Sequence, residues 1–297
     1  MINETYNDRL YLSGLLPERF PKFLELFVSA LKENKIKCDF LPNTKDIWCR
    51  DYMPIQNAAG EFIQFRYEPD YLMQKKYRPL ITNVDSVCYS LDIKTYKSDL
   101  IVDGGNIVHY GNNVVMCDKV LKENGEISKN DLIASLRQLL RVNHVLFIPS
   151  HPEDILGHSD GILRFIDQRT VIVSDFSKSD QSYWKLLTAS LDKMKLNYIP
   201  VPCDTSKNKT LMDATGFYIN FLQMKNILFL PAFGLMKDKN VEDQFKKLFP
   251  KSKIVSVNCG DLAKDGGVIN CISWTIRLDC QKSKAMVLPC EGLVIKE

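Results

Sequence analysis

The sequence lacks any run of about 20 consecutive apolar residues, the length that a helix needs to cross a bilayer. Its beginning also lacks a basic segment followed by an apolar one, so no secretory signal peptide is expected. We therefore predict a cytoplasmic protein that has no membrane partner.

A strong charge of either sign is absent as well. The net charge is +3, and the lysines that cluster at 207–209, 237–239 and 246–253 are not interleaved with aromatic residues. Because nucleic-acid surfaces usually combine a basic stripe with aromatic stacking platforms, we expect no nucleic-acid partner.

No CxxC pair occurs among the nine cysteines, which lie at 38, 49, 88, 117, 203, 259, 271, 280 and 290. Their number is odd and their spacings are irregular. This pattern argues against a disulfide framework and against a cysteine zinc site, and it favours reduced thiols.

Linkers rich in proline, glycine or serine are also missing, so we predict one domain over residues 1–297. Apolar residues make up 45% and charged residues 25% of the chain. These fractions are usual for a globular protein, and the length allows a large core.

What the sequence does contain is a repeated unit: a strand, a tight turn and a second strand, mostly followed by a helix and a further strand. Copies are predicted at 46–67, 102–117, 157–173, 216–230 and 266–271. Other strands are predicted at 8–13, 36–41, 144–149, 197–202 and 253–257, and helices at 17–31, 128–140, 180–194 and 240–248. Segment 68–100 is less regular and is predicted as a long loop followed by one element of undecided type.

Each copy carries one polar residue at an equivalent point, roughly 50 to 60 residues after the previous one. These anchor residues are Asp51, Asp103, Asp160, Asn220 and Cys271. A long internal period favours copies arranged about an axis, and in a closed ring the five anchors would converge. We therefore predict an α/β fold of five ββαβ-like repeats around a central site.

The last anchor, Cys271, follows Gly266 and Gly267, which allow a close approach of the backbone. A lone cysteine is usually a small buried hydrophobe, so its role depends on its neighbours. His158 could serve it as base or acid and make it a nucleophile. Since His158 and Asp160 are two residues apart, both would point to one face of a strand.

Three carboxylates beside a cysteine would repel an anionic substrate, but they suit a cation. A guanidinium offers paired N–H groups that match carboxylates, and its carbon is electrophilic. The residues alone thus predict a cysteine hydrolase or transferase that acts on a guanidinium. A metal site of His158, Asp160 and another carboxylate is an alternative, although no second histidine occupies an equivalent point. We expect no metal and no other cofactor.

Five blocks of the sequence resemble the signature blocks of the agmatine deiminase and bacterial peptidylarginine deiminase family, part of the guanidine-modifying superfamily. In order they are DIWCRDYMP (46–54), VDGGN (102–106), GHSDGILRF (157–165), YINF (218–221) and GGVINCI (266–272). Each block alone is weak, but five in the family's order are a specific signal. The chain departs from the family at Met53, where glycine is usual, and at Asn270, where histidine is common. It is also shorter than typical agmatine deiminases.

The resemblance implies the five-bladed α/β propeller, or pentein, fold. It also implies that Cys271 is the nucleophile and that His158 is the general acid and base. Asp51 and Asp160 would then clamp the guanidinium between them.

For the remaining candidates the resemblance implies supporting roles. Asp103 would orient His158 or assist the clamp, and Asn220 would line the pocket. Independently of the resemblance, Trp48 is expected to pack in the core, with stacking on the substrate as the alternative.

The reaction implied is deimination of agmatine to N-carbamoylputrescine and ammonia, through a covalent thiouronium on the cysteine. Deimination of free arginine or of arginine at a peptide end, amidino transfer, and binding without turnover stay open. The expected partner is a small cationic guanidino compound, and a homodimer is a candidate assembly. Segment 66–80 is the candidate for recognising the tail: Glu68 and Asp70 suit an amine, whereas Arg66 or Arg78 suits a carboxylate.

Overall fold

The computed structural model describes residues 1–203, 205, 208, 210 and 212–278. Its strands form five three-stranded sheets, one for each predicted repeat. In each sheet the middle strand pairs antiparallel with one neighbour and parallel with the other. Two of the cysteines, Cys280 and Cys290, lie outside the described residues.

Most of the strands are three to seven residues long. In chain order they are β1 (Arg9–Ser13), β2 (Lys37–Leu41), β3 (Ile55–Gln56), β4 (Phe62–Arg66), β5 (Thr95–Ile101), β6 (Val108–Tyr110), β7 (Asn113–Cys117), β8 (His144–Ile148), β9 (Leu163–Phe165), β10 (Thr170–Asp175), β11 (Asn197–Pro202), β12 (Leu222–Met224), β13 (Ile227–Ala232), β14 (Lys253–Asn258) and β15 (Trp274–Ile276).

Helices connect the parallel strands and cover the sheets. They are α1 (Leu16–Arg19), α2 (Pro21–Glu33), α3 (Cys49–Tyr52), α4 (Val84–Ser90), α5 (Lys119–Glu123), α6 (Lys129–Leu140), α7 (Gln181–Lys193), α8 (Asp238–Leu248) and α9 (Gly260–Ala263). Side chains cap some of them, as when Asp180 accepts a hydrogen bond from the backbone of Tyr183 at the start of α7. None of the described helices is long and apolar enough to span a membrane.

One sheet, β15-β1-β2, joins the start of the chain to the segment that follows Cys271. In this sheet Tyr11 stands opposite Trp274. Trp274 is buried, and its indole N–H donates to the carbonyl of Pro54 at 2.8 Å. The fifth repeat is therefore completed by the strands predicted separately at 8–13 and 36–41, and this pairing ties the first repeat to the last.

The single helix predicted at 17–31 is in fact two helices. α1 ends at Arg19 and α2 begins at Pro21, which has no N–H to donate to the preceding turn. Phe20 between them has a φ of −136°, an extended value that suits the residue before a proline. The apolar face of α2 is buried, as its helical spacing predicted: Phe23, Leu24, Phe27 and Leu31.

The anchor residues lie in tight turns rather than on the predicted strands. Asp51 is in α3, Asp160 is in the 3-10 turn Ser159–Gly161, and Cys271 is in a turn before β15. Contrary to the prediction, His158 and Asp160 therefore do not share one face of a strand, because the backbone turns between them. In a strand, alternate side chains around each anchor residue would face away from the central site, whereas a turn directs them toward it.

Segment 68–100, which the sequence did not resolve, completes the sheet β3-β4-β5. It forms two 3-10 turns, at Asp70–Leu72 and Arg78–Leu80, and then α4 and β5. Asn83 caps α4 by accepting a hydrogen bond from the backbone of Ser86.

Candidate active site

A cavity of about 570 Å³ opens beside the turns that carry the anchor residues. Four of the predicted site residues line it: His158, Asp160, Asn220 and Cys271. They come from three different repeats, so it is the arrangement of the repeats that brings them together.

Cys271 is half-buried at the inner end of this cavity. Its thiol donates to the side-chain oxygen of Asn220, with Sγ and Oδ1 3.3 Å apart. Burial raises the pKa of the thiol well above its ordinary value, and the carboxylates of Asp160 and Asp51 raise it further. The thiol is therefore protonated at neutral pH.

Gly267 is needed for this placement of the thiol. A Cβ added at Gly267 would lie 2.9 Å from the Cβ of Cys271 and 2.6 Å from the ring of Trp48. Only a glycine lets the turn pass between these two side chains.

His158 is buried between two carboxylates. Its Nε2 is 3.1 Å from Oδ2 of Asp103, and its Nδ1 is 3.5 Å from Oδ1 of Asp51. Burial by itself would lower the pKa of His158, but the charges of Asp51, Asp103 and Asp160 outweigh it and raise the pKa to about 10. The ring is therefore an imidazolium at neutral pH and can donate a proton.

Asp51 stands behind the imidazole and accepts a hydrogen bond from the backbone N–H of Gly105 at 3.1 Å. Burial raises the pKa of Asp51 to about 7, and the nearby carboxylates add to this while His158 opposes it. A Cβ at Gly105 would lie 2.6 Å from both Oδ1 of Asp51 and Nδ1 of His158. The second glycine of the VDGGN block is thus required for the pair to meet.

Asp160 is held from the other side by Asn270, the residue that precedes Cys271. The amide of Asn270 donates to Oδ2 of Asp160 at 2.6 Å, and Arg50 donates to Oδ1 of Asn270 at 3.2 Å. Burial raises the pKa of Asp160, whereas His158 and the amide hydrogen bond act to lower it.

Residues 24–276 match the family of Porphyromonas-type peptidyl-arginine deiminases. The chain belongs to this family. A relative from Mycoplasma capricolum subsp. capricolum, whose name proposes agmatine deiminase activity, is 23% identical over 279 residues, which cover 77% of this chain and 74% of the relative.

Solved structures share the fold of this chain. The agmatine deiminase of C. jejuni has a TM-score of 0.76 at 20% identity, over 93% of this chain and 95% of that one. The DDAH of Pseudomonas aeruginosa has a TM-score of 0.55 at 12% identity, over 91% and 99%. With its five sheets, the chain is the five-bladed α/β propeller, or pentein, that the sequence predicted.

Three of the predicted site residues in this deiminase-family chain lie outside the described lining of the cavity. Asp51 and Asp103 contact His158 from behind, and Trp48 packs against Gly267 and the adjacent core. Their direct contact with a substrate stays a prediction.

The four charged residues of segment 66–80 proposed for tail recognition pair locally or at the surface: Arg66 with Glu68, Asp70 with Lys119, and Arg78 with the carbonyl of Met73. None of them is among the described residues that line the cavity. The segment contacts the site through Tyr71 instead, whose hydroxyl donates to Oδ2 of Asp103 at 3.2 Å.

Sequence reasoning missed the supporting roles of Arg50, Tyr71 and Gly105. Two features of the sequence could have indicated such roles: the glycine pair after Asp103, and Asn270 at a position where the resembling family commonly has histidine. No group of three or more His, Cys, Asp or Glu side chains is arranged to hold a metal ion within the part of the chain that the structure describes.

Proposed function

We propose that the chain is a cysteine-dependent deiminase that hydrolyses agmatine to N-carbamoylputrescine and ammonia. The observation that carries this proposal is the meeting of the Cys271 thiol, the His158 imidazolium and the Asp160 carboxylate in one cavity. Relatives bear the same activity in their names, and one C. jejuni agmatine deiminase structure is a cysteine-to-serine variant with substrate bound.

In the proposed first step the guanidinium is held by Asp160, with Asp51 as the second carboxylate of the clamp. The thiolate of Cys271 attacks the guanidinium carbon and forms a C–S bond. His158 gives its proton to one amino group, the C–N bond breaks, and ammonia leaves behind a thiouronium.

In the second step the neutral His158 takes a proton from a water molecule, which attacks the same carbon. The C–S bond then breaks, Cys271 leaves as thiolate, and the remaining proton passes to ammonia or solvent. The product is a ureido compound, and the imidazolium is restored.

The electrostatics of the site suit a cation as the trigger for this chemistry. The carboxylates of Asp160 and Asp51 raise the pKa of the thiol, so a bound guanidinium that neutralises them would lower it again. The nucleophile would therefore release its proton to solvent when the substrate is in place, because His158 is already protonated, and it would take a proton back after the product leaves.

The cavity favours an amine tail over a carboxylate tail. Besides Asp160, its lining contains the acidic residues Glu153, Asp154, Asp180 and Asp213. The described residues of the lining include no lysine and no arginine to pair with the α-carboxylate of arginine. Agmatine, which ends in an ammonium, complements this surface.

Ammonia release from agmatine, from arginine and from a peptide ending in arginine tests the proposal. We expect release from agmatine in preference to the others, and a loss of at least about a thousandfold in Cys271→Ser, which keeps the fold but removes the nucleophile. Cys88→Ala, a buried thiol in α4 outside the cavity lining, is the control and should turn over normally.

No ammonia from any of the three substrates would refute the hydrolase. A new guanidino product made from an added amine, without ammonia, would identify an amidinotransferase. Full turnover by Cys271→Ser would refute the catalytic assignment. A cytoplasmic location and a homodimer stay predictions.

A further inference from the structure

Asn270 connects the turn of the nucleophile to two charged side chains. Its Nδ2 donates to Oδ2 of Asp160 at 2.6 Å, and its Oδ1 accepts from Nη2 of Arg50 at 3.2 Å. Nε of Arg50 also lies 3.5 Å from the main-chain carbonyl oxygen of Asn270. Asn270 and Asp160 are both 3% exposed, so their hydrogen bond is shielded from water.

The two partners determine which way the amide of Asn270 faces. A guanidinium has only donors, so the atom that faces Arg50 is the amide oxygen. The NH₂ group then faces Asp160 and can only donate, so the oxygen that it meets must be unprotonated. The amide therefore favours the ionised form of Asp160, whereas burial opposes it by raising the pKa of this carboxyl.

Backbone hydrogen bonds also place Arg50 and Asn270 between the segments that form the site. The N–H of Arg50 donates to the carbonyl of Cys271 at 3.1 Å, and the N–H of Asn270 donates to the carbonyl of Asn220 at 3.3 Å. Arg50 is also the neighbour of Asp51 in α3. The pair thus links the helix that carries one carboxylate to the turn that carries the nucleophile.

We propose that Asn270 is a positioning residue that keeps Asp160 ionised and aimed at the guanidinium, with Arg50 fixing the orientation of its amide. The inference rests on the proposed function, in which Asp160 is one half of the clamp. An amide does not titrate, so this donor is present at every pH, unlike the imidazole that resembling proteins commonly carry at this position.

Asn270→Asp tests the inference with a nearly isosteric change. Arg50 would hold the new carboxyl ionised, so a shared proton would go to Asp160. We expect KM for agmatine to rise about 10- to 100-fold near neutral pH, the range for losing a hydrogen bond to a charged group, with a smaller change in kcat. The ascending limb of the kcat/KM profile should move to higher pH.

Asn57→Asp is the matched control. Asn57 is 1% exposed, its Nδ2 donates to Oε2 of Glu61 at 2.8 Å, and it does not line the cavity. Asn57→Asp makes the same chemical change as Asn270→Asp, so it should lower the melting temperature while KM and the pH profile stay unchanged.

Arg50→Lys keeps the charge but loses the guanidinium fork that reaches both oxygens of residue 270. It should shift the pH profile in the same direction as Asn270→Asp. It serves as the test if Asn270→Asp does not fold.

A binding measurement separates this inference from the proposed function. Butylguanidinium, which has no amine tail, is titrated into Cys271→Ser with and without Asn270→Asp. If agmatine yields no ammonia but Asn270→Asp weakens butylguanidinium binding about tenfold or more, the inference stands and the proposed function fails. If agmatine is turned over and Asn270→Asp leaves KM, the pH limb and butylguanidinium binding unchanged, the inference is overturned. It is also overturned if Cys271→Ser binds no butylguanidinium.

Discussion

His158 and Asp103 form a hydrogen bond of 3.1 Å in a region where both side chains are almost fully buried. The hydroxyl of Tyr71 donates to the same carboxylate oxygen, Oδ2. The other oxygen of Asp103 is buried and has no hydrogen-bond partner among the residues that the structure describes. The charge of this carboxylate is therefore directed at the imidazolium, where it opposes the effect of burial on the pKa of His158.

Asp103→Asn should lower the pKa of His158 from about 10, because the imidazolium loses a charged partner while it stays buried. Since the protonated ring is the proposed proton donor, the descending limb of kcat/KM should move down by about one to three pH units. A pH–rate profile with agmatine measures this. Asp39→Asn, which removes a buried carboxylate paired with Arg9, is the control and should leave both limbs in place.

Gly105→Ala should lower kcat/KM by about a hundredfold or more, because misplacing catalytic groups by even an ångström is that costly. Its Cβ would be 2.6 Å from both Asp51 and His158, so one of them must move. Gly125→Ala is a suitable control, since the nearest atom to its Cβ would be the carbonyl oxygen of Lys122 at 3.4 Å. Equal kcat/KM values for the two variants would contradict the assigned geometry.

The acidic lining predicts how the tail of the substrate is selected. Glu153→Gln and Asp213→Asn should each raise KM for agmatine by about two- to fivefold, as expected for partly exposed charges, and should leave kcat unchanged. The rise should be smaller at high salt. Arg78→Ala, outside the described lining, should leave KM unchanged. A larger rise in KM for Arg78→Ala than for the two acidic variants would indicate that segment 66–80 recognises the tail of the substrate.

The repeats and most of the site could be predicted from the sequence because each repeat combines apolar strands with one polar residue. Asp160 precedes Gly161 and an apolar pair, and Cys271 follows soon after a glycine pair and an apolar pair. Their local conformation was predicted wrongly, because a short turn and a strand end carry the same apolar pattern. The two differ only in hydrogen bonds such as that from the N–H of Ser273 to the carbonyl of Asn270, at 3.0 Å.

Contacts between distant parts of the chain could not be predicted in this way. Arg50 and Asn270 are 220 positions apart, and either residue alone looks like an ordinary polar side chain next to a catalytic one. The strand Trp274–Ile276 is only three residues long, and its place in the first sheet depends on pairing with Arg9–Ser13. Such pairs become visible only when the repeats are arranged in space.

The ionisation of Asp51 predicts a further pH dependence, in the opposite direction to that of His158. Its pKa is raised to about 7, chiefly by burial, so the carboxyl gains protons as the pH falls through 7. A protonated carboxyl attracts a guanidinium less, so binding should weaken by up to about tenfold for each pH unit below 7 and level off above it.

Calorimetric titration of agmatine into Cys271→Ser over this range measures the effect without turnover. Binding below pH 7 should release a proton from Asp51, which appears as a dependence of the heat on the ionisation enthalpy of the buffer. The variant that also carries Asp51→Asn should bind more weakly and should lose both the slope and the proton release. If it kept them, the titrating group would be another of the buried carboxyls, with Asp160, whose pKa is also raised by burial, as the next to replace by asparagine.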